Sequence, residues 1–491
     1  MSEQRHGVWW TPDAPAVRVP GTLTCFDGGW ELNLIGSLQV DWDGEDGLHL
    51  VPPTTLWGSC LGTSYSLLHC YLTRVTGFDS FAAQTTNGQR VMTWRVSRLV
   101  RGGTVTAAAR FSAAAFEITG LPAWWPLSGL RGPRVHTGSY VAPDDVVVPL
   151  HDGKITIGVR EARSSGARGT SLRERVITLA DRPSGFTLDD LDRDIVRPLR
   201  ALVAIGVDEP VSVFNLCVEP KGTSIGGTPT RLLDVDPHDD EPETLSSSVV
   251  APLPLSPAVA DMQSFLPAWL EVARRCSVPL DAVEPRSRSD SLQLQLLEVV
   301  NAAETLHRSL HAEPAEHPFA ERVKKALEQS ETTPFTSRER RAVRDAVKFT
   351  EVSLELRLLA LADDLGPAVC TWLFNGTARP WAFVTARIRN ALSHGFTASD
   401  GTHEDPGALA GALRLTEAVI TLRLLVAAGM PPGTELVTRL ERHRGMRALS
   451  QQTLANWPAL AHRINPQQWP LPEPESPPSD TQENHASPAE G

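Results

Sequence analysis

The sequence predicts a two-domain α+β protein, with a β-rich first half followed by an all-α helical bundle. Three features point to it. Short runs alternating between apolar and polar residues dominate up to about residue 180, an acidic, Pro- and Ser-rich stretch interrupts the chain near 234–257, and apolar residues then recur at helical spacing almost to the end. The expected division is 1–245 for the β-rich domain, 246–257 for a linker, 258–460 for the helical domain and 466–491 for a disordered tail. A chain of 491 residues is long enough for roughly two to four domains.

In chain order, Gly21 to Cys25 and Trp30 to Ile35 set the strand pattern, which continues through Gly153 to Arg160 and Arg173 to Leu179. Leu188 to Val203 changes period to that of a helix with acidic residues in its first turn. Beyond the linker, helical segments are expected near 258–276, 290–312, 317–329, 337–363, 380–394, 406–428 and 434–460. From Pro466 onward, prolines among Glu, Ser and Gln leave too little apolar surface to offset ordering entropy.

Composition excludes several classes. Hydrophobic residues make up 41% and charged residues 21% of the chain, an ordinary globular balance. A net charge of −12 argues against broad electrostatic attachment to nucleic acid, so any such substrate must be met at a local site. The six cysteines include no CxxC pair and are expected to be free, mostly buried thiols. No apolar run is long enough for a membrane helix and the first residues are polar, so a cytoplasmic protein without membrane attachment is expected. Walker A, GxSxG and HExxH patterns are absent from the sequence, which removes the common nucleotide hydrolases, serine hydrolases and zincins. Trp9, Trp10, Trp57, Trp124 and Trp125 are expected to serve packing rather than base stacking.

The chemistry-bearing segment is Ala386 to Gly395. Around a helix axis at ~100° per residue, Arg389, Asn390 and His394 fall near 0°, 100° and 140°, so one face presents all three. A histidine titrating near neutrality moves protons, and a guanidinium stabilises a developing phosphorane oxyanion. Those residue types suit attack of a ribose 2′-hydroxyl on its neighbouring phosphate without a metal ion.

Arg389, Asn390 and His394 resemble the R-x4–6-H motif of HEPN domains. The stretch Leu296 to Arg308 resembles the first core helix of ApeA-like HEPN domains, with Glu304 as the matching acid. Gly7 to Pro12, Pro20 to Leu23, Leu32 to Gly36 and Phe116 to Trp124 resemble the ApeA N-terminal domain. The resemblance implies an anti-phage defence protein. A HEPN endoribonuclease would act on RNA, with tRNA among the candidates, through catalytic Arg389, Asn390 and His394 supported by Glu304. Fragments would end in 2′,3′-cyclic phosphate and 5′-hydroxyl. A homodimer through the HEPN domain is also implied, with the β-rich domain sensing a phage-derived trigger or restraining activity, and neither cofactor nor metal.

Arg387 lies ~200° from Arg389 around the helix and is retained only as a candidate RNA contact, together with Arg340, Arg341 and Arg344. Glu304, His307 and His311 have a spacing that ligates metal when another helix contributes, but a polar helix face is the simpler account. Two alternatives stand beside the nuclease. In one, the HEPN domain is a non-catalytic module that binds RNA or protein. In the other, the chain is the toxin component of a toxin–antitoxin-like system.

Overall fold

The computed structural model describes residues 4–26, 29–38, 54–76, 91–125, 127, 142–166, 169–222, 232–236, 261–285, 291–311, 325, 336, 339, 352–394, 401–443, 445–447, 449 and 457–469, with backbone alone at 162–166, 169–173, 394 and 458. It is α+β, a β-rich first part followed by helices, as the two hydrophobic periods predict.

Six antiparallel strands form a closed barrel: β1 (Gln4–Trp10), β2 (Val19–Phe26), β3 (Gly29–Ile35), β4 (Thr54–Cys60), β5 (Thr63–Thr76) and β6 (Val91–Arg101). The order is β3-β2-β1-β4-β5-β6, and β3 pairs back onto β6 with Trp30 opposite Val96 and Ile35 opposite Val91. Alternation decides which residues line the interior: Trp30, Leu32 and Leu34 on β3 meet Met92, Trp94 and Val96 on β6, with Trp9, Leu23, Leu56 and Leu67 completing the core. Closure leaves neither β3 nor the first half of β6 with an open edge. Gly58 is required by packing, because it pairs with Trp9 and a Cβ there would run into the indole.

The C-terminal end of β6 leaves the barrel and continues the sheet. Its Val100 and Arg101 pair with β12 (Leu233–Val235), and the order runs on through β11 (Val213–Pro220), β7 (Phe111–Ile118), β10 (Gly169–Phe186) and β9 (Gly153–Gly166) to β8 (Val146–Leu150). A single turn, α1 (Leu121–Trp124), carries the buried Trp124 against α3 (Arg197–Val207), where Gly206 leaves room for the ring. The expected helix at 188–203 is present and longer. Thr187 and Asp190 form a capping box at α2 (Leu188–Leu191), and a π-helical turn at Asp192–Val196 leads into α3.

Of the five tryptophans, Trp9, Trp10, Trp124 and Trp125 are buried, and Trp57 spends its indole N–H on Val105 O at 2.8 Å. All six cysteines are free, and four are buried. Burial pushes the thiols of Cys217 and Cys370 up to about 11, the opposite of an activated nucleophile.

Two compact units divide the chain: 1–288 with 420–445, and 289–419 with 446–491. Residues 261–283, placed by their period in the helical domain, belong instead to the first unit. Helix α4 (Met262–Arg275) inserts Trp269, whose Nε1 donates to Pro198 O at 2.8 Å. After α5 (Ser277–Val283), Glu284 accepts two hydrogen bonds from Arg200 at 2.7 and 3.0 Å.

The second unit contains α6 (Leu292–Leu310), α7 (Leu354–Asp363), α8 (Pro367–Phe374), α9 (Arg379–His394) and α12 (Trp457–Ile464). The long α10 (Pro406–Ala427) starts in it, and α11 (Thr434–Leu440) lies in the first unit. Leu296, Val300, Leu306, Leu358, Leu361, Trp381, Val384, Ile388 and Leu413 are among its buried residues. The tail expectation began at 466, yet Trp469 lies 5.9 Å from Phe383 ring to ring, and its carbonyl meets His462 Nδ1 at 2.7 Å. An aromatic anchor holds 466–469 against the helices, and 470–491 fall outside the described residues, as does the segment expected at 317–329 apart from Lys325. Among the described residues, no helix is long and apolar enough to cross a membrane.

Candidate active site

Helix α9 owes its orientation to Trp381, Val384, Ile388 and Ala391, whose 3–4–3 spacing makes one buried stripe. Trp381 packs on Phe374 at 5.0 Å between ring centroids. With that stripe inward, Arg387 and Asn390 are exposed and Arg389 is half-buried at the boundary. His394 ends the helix, ~7.5 Å along the axis from Arg389, and its side chain is not described.

Arg389 is held by three groups. Its Nη1 donates to Asn390 Oδ1 at 3.3 Å and its Nη2 to Asn301 Oδ1 at 3.5 Å, and Nη2 lies 3.9 Å from Glu304 Oε2. The Nε–H is buried and finds no hydrogen-bond partner among the described residues. Nη1 carries a second N–H beyond the one given to Asn390, so the guanidinium is aimed with a donor left for a ligand.

Glu304 is the hub. Its Oε1 accepts from Arg308 Nη2 at 2.9 Å and lies 4.0 Å from Arg357 Nε. Arg357, 1% exposed, donates from Nε to Val352 O at 3.0 Å. Three guanidiniums face one carboxylate, so these four side chains carry two net positive charges in a chain of formal charge −12. Oriented guanidinium groups are what a phosphodiester needs from an acidic protein.

The structure therefore brings together Glu304, Arg389 and Asn390. Arg387 is exposed and, ~200° away around the axis, takes no part in the cluster. Arg340, Arg341 and Arg344 lie outside the described residues. Glu304 faces arginines, and His311 Nε2 lies 2.9 Å from Asp364 Oδ2.

The ApeA N-terminal domain 1 family model matches residues 4–269, more than half of the 491 residues. The chain belongs to the ApeA family. A second family model, described as Apea-like HEPN, matches 297–433 and takes in Asn301, Glu304, Arg308, Arg357, Arg389, Asn390 and His394. No curated protein and no solved structure matches the chain.

Two members of this ApeA-family site were missed from sequence. Asn301 stands three residues before Glu304 on the same helix face, a spacing that would have found it. Arg357 lies between leucines at a core position of α7, and a fully buried arginine demands a partner.

Proposed function

We propose that the chain is an anti-phage defence effector whose HEPN domain cleaves RNA without a metal ion. The observation that supports it best is half-buried Arg389, held by Glu304, Asn301 and Asn390 with a second Nη1 N–H left over, on the helix that ends in His394. His394 takes the proton from a ribose 2′-hydroxyl or returns one to the leaving 5′-oxygen. The nucleophilic oxygen forms its bond to phosphorus as the bond to the 5′-oxygen breaks, giving a 2′,3′-cyclic phosphate and a 5′-hydroxyl.

Arg389 stabilises the phosphorane charge, using donors its protein partners leave open. Asn390, already accepting from Arg389 through Oδ1, keeps its amide N–H groups for a phosphate oxygen. Glu304 orients Arg389, and Arg357 backs Glu304 from the core. Two copies of the HEPN domain bring two such motifs together in a homodimer. The β-rich region senses a phage-derived trigger or restrains the nuclease.

The deciding experiment compares a bacterial host expressing the unsubstituted protein, Arg389→Ala or His394→Ala, with and without phage challenge. Total RNA integrity and fragment ends are followed. Fragments with 5′-hydroxyl ends, made by the unsubstituted protein and by neither variant at equal soluble levels, are the expected result. Defence that survives both substitutions would overturn the catalytic roles and favour a binding module.

A further inference from the structure

Asn301, Glu304 and Arg308 lie within ~60° of one another around α6, and His311, the C-cap directly after it, stands about 10 Å along the axis from Glu304. The Arg389 cluster is therefore one end of a polar strip, and His311 marks the other.

His311 has neighbours on two sides. Its Nε2 lies 2.9 Å from Asp364 Oδ2, just past the end of α7, without the alignment of a hydrogen bond. Its ring stacks on that of His307, 4.5 Å between centroids and 20° between planes. His307 is buried at 6% exposure, whereas the His311 side chain is 32% exposed. One face of the outer imidazole is stacked, and about a third of the His311 side chain is exposed among the described residues. The Glu304–Arg357 and His311–Asp364 contacts are each seven residues apart along α6 and α7. The two helices thus run parallel beneath the strip and set the separation of its ends.

A separation of about 10 Å exceeds what one phosphodiester covers. A ring there meets a nucleotide beyond the scissile pair. Stacking on an aromatic face tolerates any base and does not depend on the charge of the imidazole.

Resting on the ribonuclease reading of the Arg389 site, we propose that His311, stacked on His307 and beside Asp364, is a base-stacking subsite. It would hold the nucleotide adjoining the pair cleaved at Arg389.

The test is a binding series with the full-length protein. RNA oligonucleotides of two, three and four nucleotides carry a 2′-deoxy sugar at the cleavable position. They are titrated against the unsubstituted protein, His311→Ala and His311→Phe. The third nucleotide, on one side of the pair, is expected to tighten binding about ten-fold for the unsubstituted protein and His311→Phe, and to add nothing for His311→Ala. Dinucleotide binding is expected to be equal in all three.

A third nucleotide that helps His311→Ala equally, a loss by His311→Ala on the dinucleotide too, or no binding of any oligonucleotide overturns the subsite. Cleavage of all-ribose oligonucleotides by the unsubstituted protein is measured alongside. Failure there, with the length step intact, removes the ribonuclease reading and leaves the stacking site standing.

Discussion

Glu117 and Glu304 are both carboxylates set against arginine, one in each compact unit, and they are used in opposite ways. Glu117 on β7 is 4% exposed and fully matched. Arg175 donates to it from Nε at 2.8 Å and from Nη2, and Asn215 Nδ2 adds a bond at 2.7 Å. One acid there satisfies one guanidinium and one amide across β10, β7 and β11. Glu304 is shared by three guanidiniums at 2.9, 3.9 and 4.0 Å. A saturated pair ties strands together, whereas an acid shared among three arginines orients Arg389 without spending all of its donors.

The largest expected effect tests the second half of that contrast. Arg389→Ala should lower RNA cleavage by about 100- to 1000-fold, the usual cost of losing one donor to a transition-state oxyanion. Thermal unfolding should be nearly unchanged, since Arg389 contributes little to the core. Equal losses of cleavage and stability would make Arg389 a structural residue like Arg175.

Next is Glu304→Ala, which removes the acid facing the buried Arg357. A fully buried pair broken on one side costs about 3–5 kcal/mol; the 23% exposure of Glu304 and the 4.0 Å separation reduce this to roughly 2 kcal/mol. Cleavage should fall as well. Glu304→Gln should recover part of the stability and less of the activity, as read by denaturant midpoints and initial rates.

Glu117→Ala should cost about 1–2 kcal/mol, from charge-assisted hydrogen bonds lost at a half-exposed arginine, and leave cleavage by the folded protein untouched. A change in rate constant without a change in the folded fraction would break the assignment of Glu117 to structure.

The smallest effect concerns Asp405, whose Oδ1 accepts from the backbone N–H groups of Gly407 and Ala408 at 2.9 and 3.1 Å. These bonds, the one to Ala408 foremost, hold its carboxyl below the usual range, with help from Arg463. The folded-state value lies below the unfolded one, so the cap contributes fully above about pH 4 and is lost as pH falls through the lowered value. Asp405→Ala should cost about 1 kcal/mol at pH 7, and the difference between the two proteins should close on acidification in unfolding experiments.

Local periods made much of this legible. The 3.6-residue repeat of Trp381, Val384, Ile388 and Ala391 orients α9, and that alone puts Arg389 at a boundary and Arg387 on the outside. Glu304 came from the resemblance of its helix, and α7 adds buried Arg357 4.0 Å from it. Residues 261–283 have the same period as the helices after them, so nothing local says that Trp269 will pair with Pro198.

The sequence by itself determined the α+β class, the barrel's tryptophan-lined strands and the helix that carries Arg389 and His394. Each depends on residues a few positions apart, where the geometry of the backbone decides which face is shared. Tertiary structure decided that β3 closes onto β6, that α4 and α5 pack with the β-rich unit, and that Glu304 and Asn301 meet Arg389. Those partners stand about 60 to 90 residues apart along the chain, and bringing them together takes loop closure and shape matching that no repeat encodes.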